Sequence, residues 1–224
     1  MARQPRLSLP GVVHCLEQRG HNGGAIVRDE ADAERLQEIL REAAREHQVT
    51  LHAFSLLPAR LLVLATPDSA EGVSRMMQAI GRRHAAAFNR RHGRSGALWD
   101  GRFRSALVED GEPTLCVLRL IDADPAGEGQ PPLRGNRDHR SGGSRDAGLV
   151  DPPAYWQLGN TPFERESRYR ALLAEPVPAA ERRALQRALT RSAAYGSSAF
   201  VAHMALLAGR ELQPRPRGRP PSRR

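Results

Sequence analysis

The chain has 224 residues, a formal net charge of +9, 40% hydrophobic residues and only 4% aromatics. That length supports one good core with a smaller satellite, and no apolar run is long enough to cross a bilayer. With no apolar stretch near residue 1 to suggest a secretory signal, a cytoplasmic protein without membrane association is expected. Two cysteines, Cys15 and Cys116, give neither a disulfide framework nor a zinc motif.

In chain order, residues 12–18 read as a strand and 19–28 as a Gly- and Asn-rich loop. Residues 31–46 carry Leu36, Ile39 and Leu40 at helical spacing, with Asp29 or Asp32 available as a cap. Residues 49–55 alternate as a strand, and 60–65 form the short apolar run of a buried central strand after a Leu-Pro-Ala turn. A long helix is predicted over 69–91, with Val73, Met76, Met77, Ile80, His84 and Phe88 as its apolar line. A strand at 103–108 and a helix at 112–122 follow.

The order β-α-β-β-α-β predicts an α+β, ferredoxin-like split antiparallel sheet with helices on one face. A domain over 1–124 is then followed by 125–150, dense in Gly, Pro, Ser and Arg and expected to be a flexible linker. Helical patterns return over 151–211 as an accessory region, and 212–224 form a basic Pro/Arg tail expected to be disordered.

The segments "VVHCLEQRGHN" (12–22), "LHAFSLLP" (51–58), "SRMMQAIGRRHAAAFNRRHGRSGALWDGRFRSALVED" (74–110) and "PRPRGRPP" (214–221) resemble the REP-associated tyrosine transposases. The resemblance is continuous over 12–125 and looser over 155–221. It implies a single-strand DNA transposase fold, with magnesium or manganese held by a His-x-His strand and a tyrosine that attacks the scissile phosphate. In the family the strand reads Met-Pro-Asn-His-x-His, and its histidines fall on Arg60 and Leu62. The Arg-Tyr-x-x-x-Asn-Pro pattern aligns with "LRLIDADP" (118–125), placing the tyrosine at Leu120 and the asparagine at Asp124. A guanidinium repels a cation, and leucine offers neither a lone pair nor a nucleophile. The expectation is a DNA-binding relative without an intact catalytic site and without a cofactor. Three alternatives remain open: an active strand transferase with ligands relocated among His14, His52, His84, Asp122 and Asp124; a transposon-derived remnant without a role; and a structural protein whose basic surface only mirrors arginine-rich composition.

Every basic side chain is arginine, since lysine is absent. Its planar fork of donors suits phosphates and guanine edges, which favours DNA as partner, as a single-stranded hairpin or an A·T-rich duplex. Nucleoid association in a bacterial cytoplasm is therefore expected. Candidate contacts are Arg75, Arg82, Arg83, Arg90 and Arg91 on the long helix, then Arg94, Trp99 and Arg102 in the loop, where "LWDGRF" resembles the family's Leu-Trp-Glu-Gly-Arg-Tyr. Arg19 and Asn22 are weaker candidates. In the tail, Arg217-Gly218-Arg219 between prolines, with Arg215 nearby, matches the AT-hook core, in which glycine permits close approach to a narrow minor groove.

Overall fold

The computed structural model describes residues 7–123 and 133–212. Strand β1 (Val13–Arg19) leads through a short turn at His21–Gly23 into helix α1 (Glu30–Glu46). Strands β2 (Val49–Leu57) and β3 (Arg60–Pro67) form a hairpin, and α2 (Gly72–Arg91) carries the chain to β4 (Arg104–Val108). These strands lie in the order β2-β3-β1-β4, each antiparallel to its neighbour. Each helix thus crosses one intervening strand, which is the expected split arrangement.

Helix α1 begins where the Asp29 carboxylate accepts the Asp32 amide at 3.0 Å, satisfying one of the free amides of the first turn. It buries Leu36, Ile39, Leu40 and Ala43 and is followed by Gln48 at a φ of 52°. Helix α2 buries the apolar line its spacing predicts, from Val73 to Phe88. A Cβ added at Gly72 would stand 3.1 Å from the His47 carbonyl oxygen, so glycine lets α2 start tight against the end of α1. Along β3 the side chains alternate: Leu61, Val63 and Ala65 join the core under α1 and α2, while Leu62 and Leu64 join a second core.

After α3 (Glu112–Ala123) the structure corrects the sequence expectation. Residues 133–150, read from composition as flexible linker, are built into the fold; 124–132 lie outside the described residues. Strand β5 (Arg134–Gly135) extends the β2 edge, and α4 (Arg137–Arg140) follows. The Asn136 side-chain carbonyl accepts the Phe54 amide at 2.7 Å, and Arg134 pairs with Glu30 and Glu34 of α1. Arg140 is wholly buried, its Nε 2.8 Å from the Asp151 carboxylate and its Nη1 3.7 Å from Asp122 of α3. Its guanidinium also donates to the His52 carbonyl. A composition argument weighs apolar area, whereas this segment is held by charge pairs to acids elsewhere in the chain.

The remaining elements are α5 (Pro153–Trp156), α6 (Pro162–Ala174), α7 (Ala179–Arg191), β6 (Ala194–Tyr195) and α8 (Ser198–Leu207). The two helices expected on one face are α1 and α2. The opposite face is covered as well, by α3 and α5 to α7, through Val117, Leu120, Tyr155, Tyr169, Leu185 and Leu189. Strand β6 pairs in parallel with β4, and Met204 of α8 closes a small third core with Leu7, Leu107 and Leu212. The basic tail beyond Leu212 lies outside the described residues.

Candidate nucleic-acid interface

Residues i and i+2 of β3 face the same side of the sheet, so Arg60 and Leu62 both look toward the layer containing α3 and α7. There they meet Leu120. All three positions line one cavity of about 230 Å³, together with Cys15, Glu17, Val117, Arg182, Arg183 and Leu189. The three positions that the sequence resemblance singles out therefore meet at one cavity, although Leu120 lies far along the chain from β3. The chemistry there is not that of a metal centre. Leu62 and Leu120 are buried in apolar packing, and the Cys15 thiol is pushed up by burial, with the Glu17 charge adding to the shift. Glu17 is 1% exposed and already holds three guanidiniums: Arg19 at 2.9 Å, Arg60 at 3.3 Å and Arg104 at 3.4 Å. A divalent cation needs several lone pairs in an uncrowded negative field, and these residues do not fit one.

The positions considered for relocated ligands are accounted for structurally. His14 Nδ1 donates to the Val12 carbonyl at 2.7 Å while its Nε2 accepts the Leu9 amide at 3.3 Å. This tautomer is neutral, and burial lowers its pKa to about 4. His52 bridges the Val150 carbonyl at 2.7 Å and the Thr66 hydroxyl at 2.8 Å, while His84 bonds the Ile26 carbonyl at 2.8 Å. Both are likewise shifted down, chiefly by burial. Asp122 accepts the Tyr169 hydroxyl at 2.7 Å, and burial raises its carboxyl against the opposing pull of Arg140. Asp124 lies outside the described residues. Among the described residues no group of three or more His, Cys, Asp or Glu side chains is placed to hold a metal ion.

The basic helix separates into two sets. Arg83 pairs with Glu46 at 2.6 Å, and Arg91 with Asp29 at 2.7 Å and Asp32 at 2.5 Å, so both tie α2 to α1. Arg75 pairs with Glu71 one turn earlier. Arg82, Arg90 and, in the following loop, Arg102 are exposed and carry no ion pair among the described residues. Arg94 lies over the Phe88 ring at 5.7 Å. Trp99 donates its indole N–H to the Gly81 carbonyl at 2.9 Å and stands 5.7 Å from the His84 ring. It is half-buried against the α1/α2 core and anchors the loop. Arg19 belongs to the Glu17 cluster, whereas Asn22 is exposed at a left-handed φ of 53°. Arg215, Arg217, Gly218 and Arg219 fall outside the described residues.

Sequence reading passed over the α7 arginines and the Glu17 cluster. Arg183, Arg187 and Arg191 are exposed at i, i+4 and i+8 without an ion pair among the described residues, a stripe legible in "ERRALQRALTR". The Glu17 cluster joins residues from three strands and has no local signature.

No protein-family model matches the chain, and no curated protein matches it. Among solved structures, a REP-associated tyrosine transposase bound to a REP hairpin is similar over 69% of this chain and 93% of its own, with a TM-score of 0.51 and 14% identity. A "putative transposase" from Deinococcus radiodurans R1 is similar over 49% of this chain and 88% of its own, with a TM-score of 0.38 and 23% identity. Together with the β-α-β-β-α-β core, the first of these comparisons establishes that the chain has the fold of a REP-associated tyrosine transposase.

Proposed function

We propose that the protein is a DNA-binding member of the REP-associated tyrosine transposase group that holds DNA without cutting it. The observation that carries this reading is the meeting of Arg60, Leu62 and Leu120 at one cavity. Three side chains without ligand or nucleophile chemistry occupy the positions that, by the sequence resemblance, answer to the family's metal-binding histidine pair and its tyrosine. DNA as the partner is supported by the exposed arginines Arg82, Arg90 and Arg102, which have no ion pair among the described residues, and by the similar structure, which holds a REP hairpin. Binding then needs no metal or other cofactor.

The AT-hook-like tail, with Gly218 between Arg217 and Arg219, adds contacts to A·T-rich duplex. No helix among the described residues is long and apolar enough to cross a membrane, and a nucleoid-associated location follows from the DNA reading. The test is electrophoretic mobility of a hairpin and of an A·T-rich duplex across a salt series. Retarded DNA whose affinity falls steeply with salt is expected, because arginines displace condensed counterions. DNA that runs free at low salt would overturn the reading.

A further inference from the structure

Another cavity, of about 680 Å³, lies between α3, α7, β6 and α8. It shares no lining residue with the cavity that holds Arg60, Leu62 and Leu120. Small side chains leave the space open: Ala184 and Ala188 stand one turn apart on α7, and Ala193 and Ala194 lead into β6. Longer residues at those positions would fill it. Leu115, Leu172, Pro178 and Val201 supply apolar walls, and the volume falls within the roughly 300–1,000 Å³ of small-molecule sites.

The charged groups around this space differ in what they already hold. The buried Tyr195 hydroxyl donates to the Glu181 carboxylate at 2.6 Å and stands 3.3 Å from the Cys116 sulfur, so Glu181 is engaged. Glu112 is exposed in the first turn of α3, where the free helix amides offset its charge. Arg187 and Arg191 border the cavity one turn apart, with roughly 5–6 Å between their Cβ atoms, so one anionic head group can meet both. Both are exposed and without an ion pair among the described residues. Arg119, on the α3 wall, gives Nη2 to the Glu175 carbonyl at 2.8 Å, while its Nε is buried with no acceptor. Buried donors are ordinarily met, and here the chain supplies no acceptor.

We propose that this cavity binds a small organic anion, its apolar body between α3 and α7 and its carboxylate or similar head group held by Arg187 and Arg191. Charge complementarity selects the anion, since a cation would meet these guanidiniums and find Glu181 already bonded. A bare inorganic ion would leave the apolar walls unfilled, so the occupant needs both parts. The site is independent of the DNA reading, because neither α2 nor the Arg60, Leu62 and Leu120 positions take part in it.

The test is fluorescence titration of the full chain with 8-anilinonaphthalene-1-sulfonate, an apolar aromatic anion, followed by displacement with octanoate or 1-octanol. Three variants accompany it: Arg187→Gln/Arg191→Gln at the rim, Ala184→Phe to fill the cavity, and Arg45→Gln/Arg170→Gln as a control that removes equal charge from exposed positions outside the cavity. The site predicts probe binding that weakens roughly tenfold or more in the rim variant, weakens also in Ala184→Phe, and matches the parent in the control. Octanoate should displace the probe, and 1-octanol, with the same chain and no charge, should not. Equal weakening in the rim variant and the control overturns the proposal, even should Ala184→Phe fail to fold, because the probe then follows general surface charge. Displacement by 1-octanol as readily as by octanoate overturns it too, as does displacement by an oligothymidylate but not by octanoate, which would give the cavity to DNA. A parent that binds no probe also overturns it, including where deletion of 213–224 restores binding, since the tail would then be the occupant.

Discussion

Histidine 14 shows how burial becomes pH dependence. Its pKa falls to about 4 in the folded chain through burial, against about 6.5 when unfolded. Between those values the unfolded chain binds the extra proton, so folded stability is full above the unfolded pKa and is lost as pH falls toward 4. The shift corresponds to about 3 kcal/mol, and His52 and His84 act in the same direction. Urea denaturation at pH 7 and pH 5 should show a drop of about 2 kcal/mol from His14, since the full loss is reached only below pH 4, and His14→Gln should reduce the pH dependence. Equal stability at both pH values would contradict the assignment. At residue 99 "LWDGRF" suggests a tryptophan available for stacking, and the structure holds Trp99 half-buried with its N–H donated to the Gly81 carbonyl. The partner carbonyl lies one helix away and leaves no mark beside the motif.

Helix α2 carries arginines of two kinds, and they predict different outcomes. Arg82→Ala/Arg90→Ala, combined with Arg102→Ala, removes side chains without an ion pair among the described residues. DNA affinity should fall for all sequences, and the duplex log–log salt slope should flatten by about 3, with little change in melting temperature. Arg91→Ala should instead lower the melting temperature, because Arg91 holds the half-exposed cap Asp29 and the buried Asp32. Calorimetry together with anisotropy on the two variants checks this split; an unchanged slope in the triple variant would make the exposed face a merely solvated one. In the tail, Gly218→Val should reduce A·T-rich duplex binding as deletion of 213–224 does, since a β-branched side chain obstructs a narrow groove. Retained A·T preference in Gly218→Val would leave the tail acting through charge alone.

For the whole molecule, the elements up to Ala123 were legible because hydrophobic period and turn residues are local signals. Helix α2 matches its apolar line from Val73 to Phe88, and β3 its apolar run. The segment 133–150 was not legible, since Arg134, Asn136 and Arg140 pair with Glu30, Phe54 and Asp151 outside it. Of the candidate site, Arg60, Leu62 and Leu120 were singled out by the sequence resemblance, but the Glu17 cluster that crosses three strands was not legible. Arg140→Met should destabilise by about 3–5 kcal/mol, because it leaves the buried acids Asp122 and Asp151 without their guanidinium; equilibrium unfolding measures this, and a neutral result would refute the role assigned to Arg140.

Whether bound DNA stays intact is the decisive property of the protein. A hairpin labelled at both ends, incubated with the full chain and manganese at a concentration that retards all of it, should run as uncut, protein-free DNA on a denaturing gel. A shortened strand, or a label that remains attached to protein after denaturation, would contradict it.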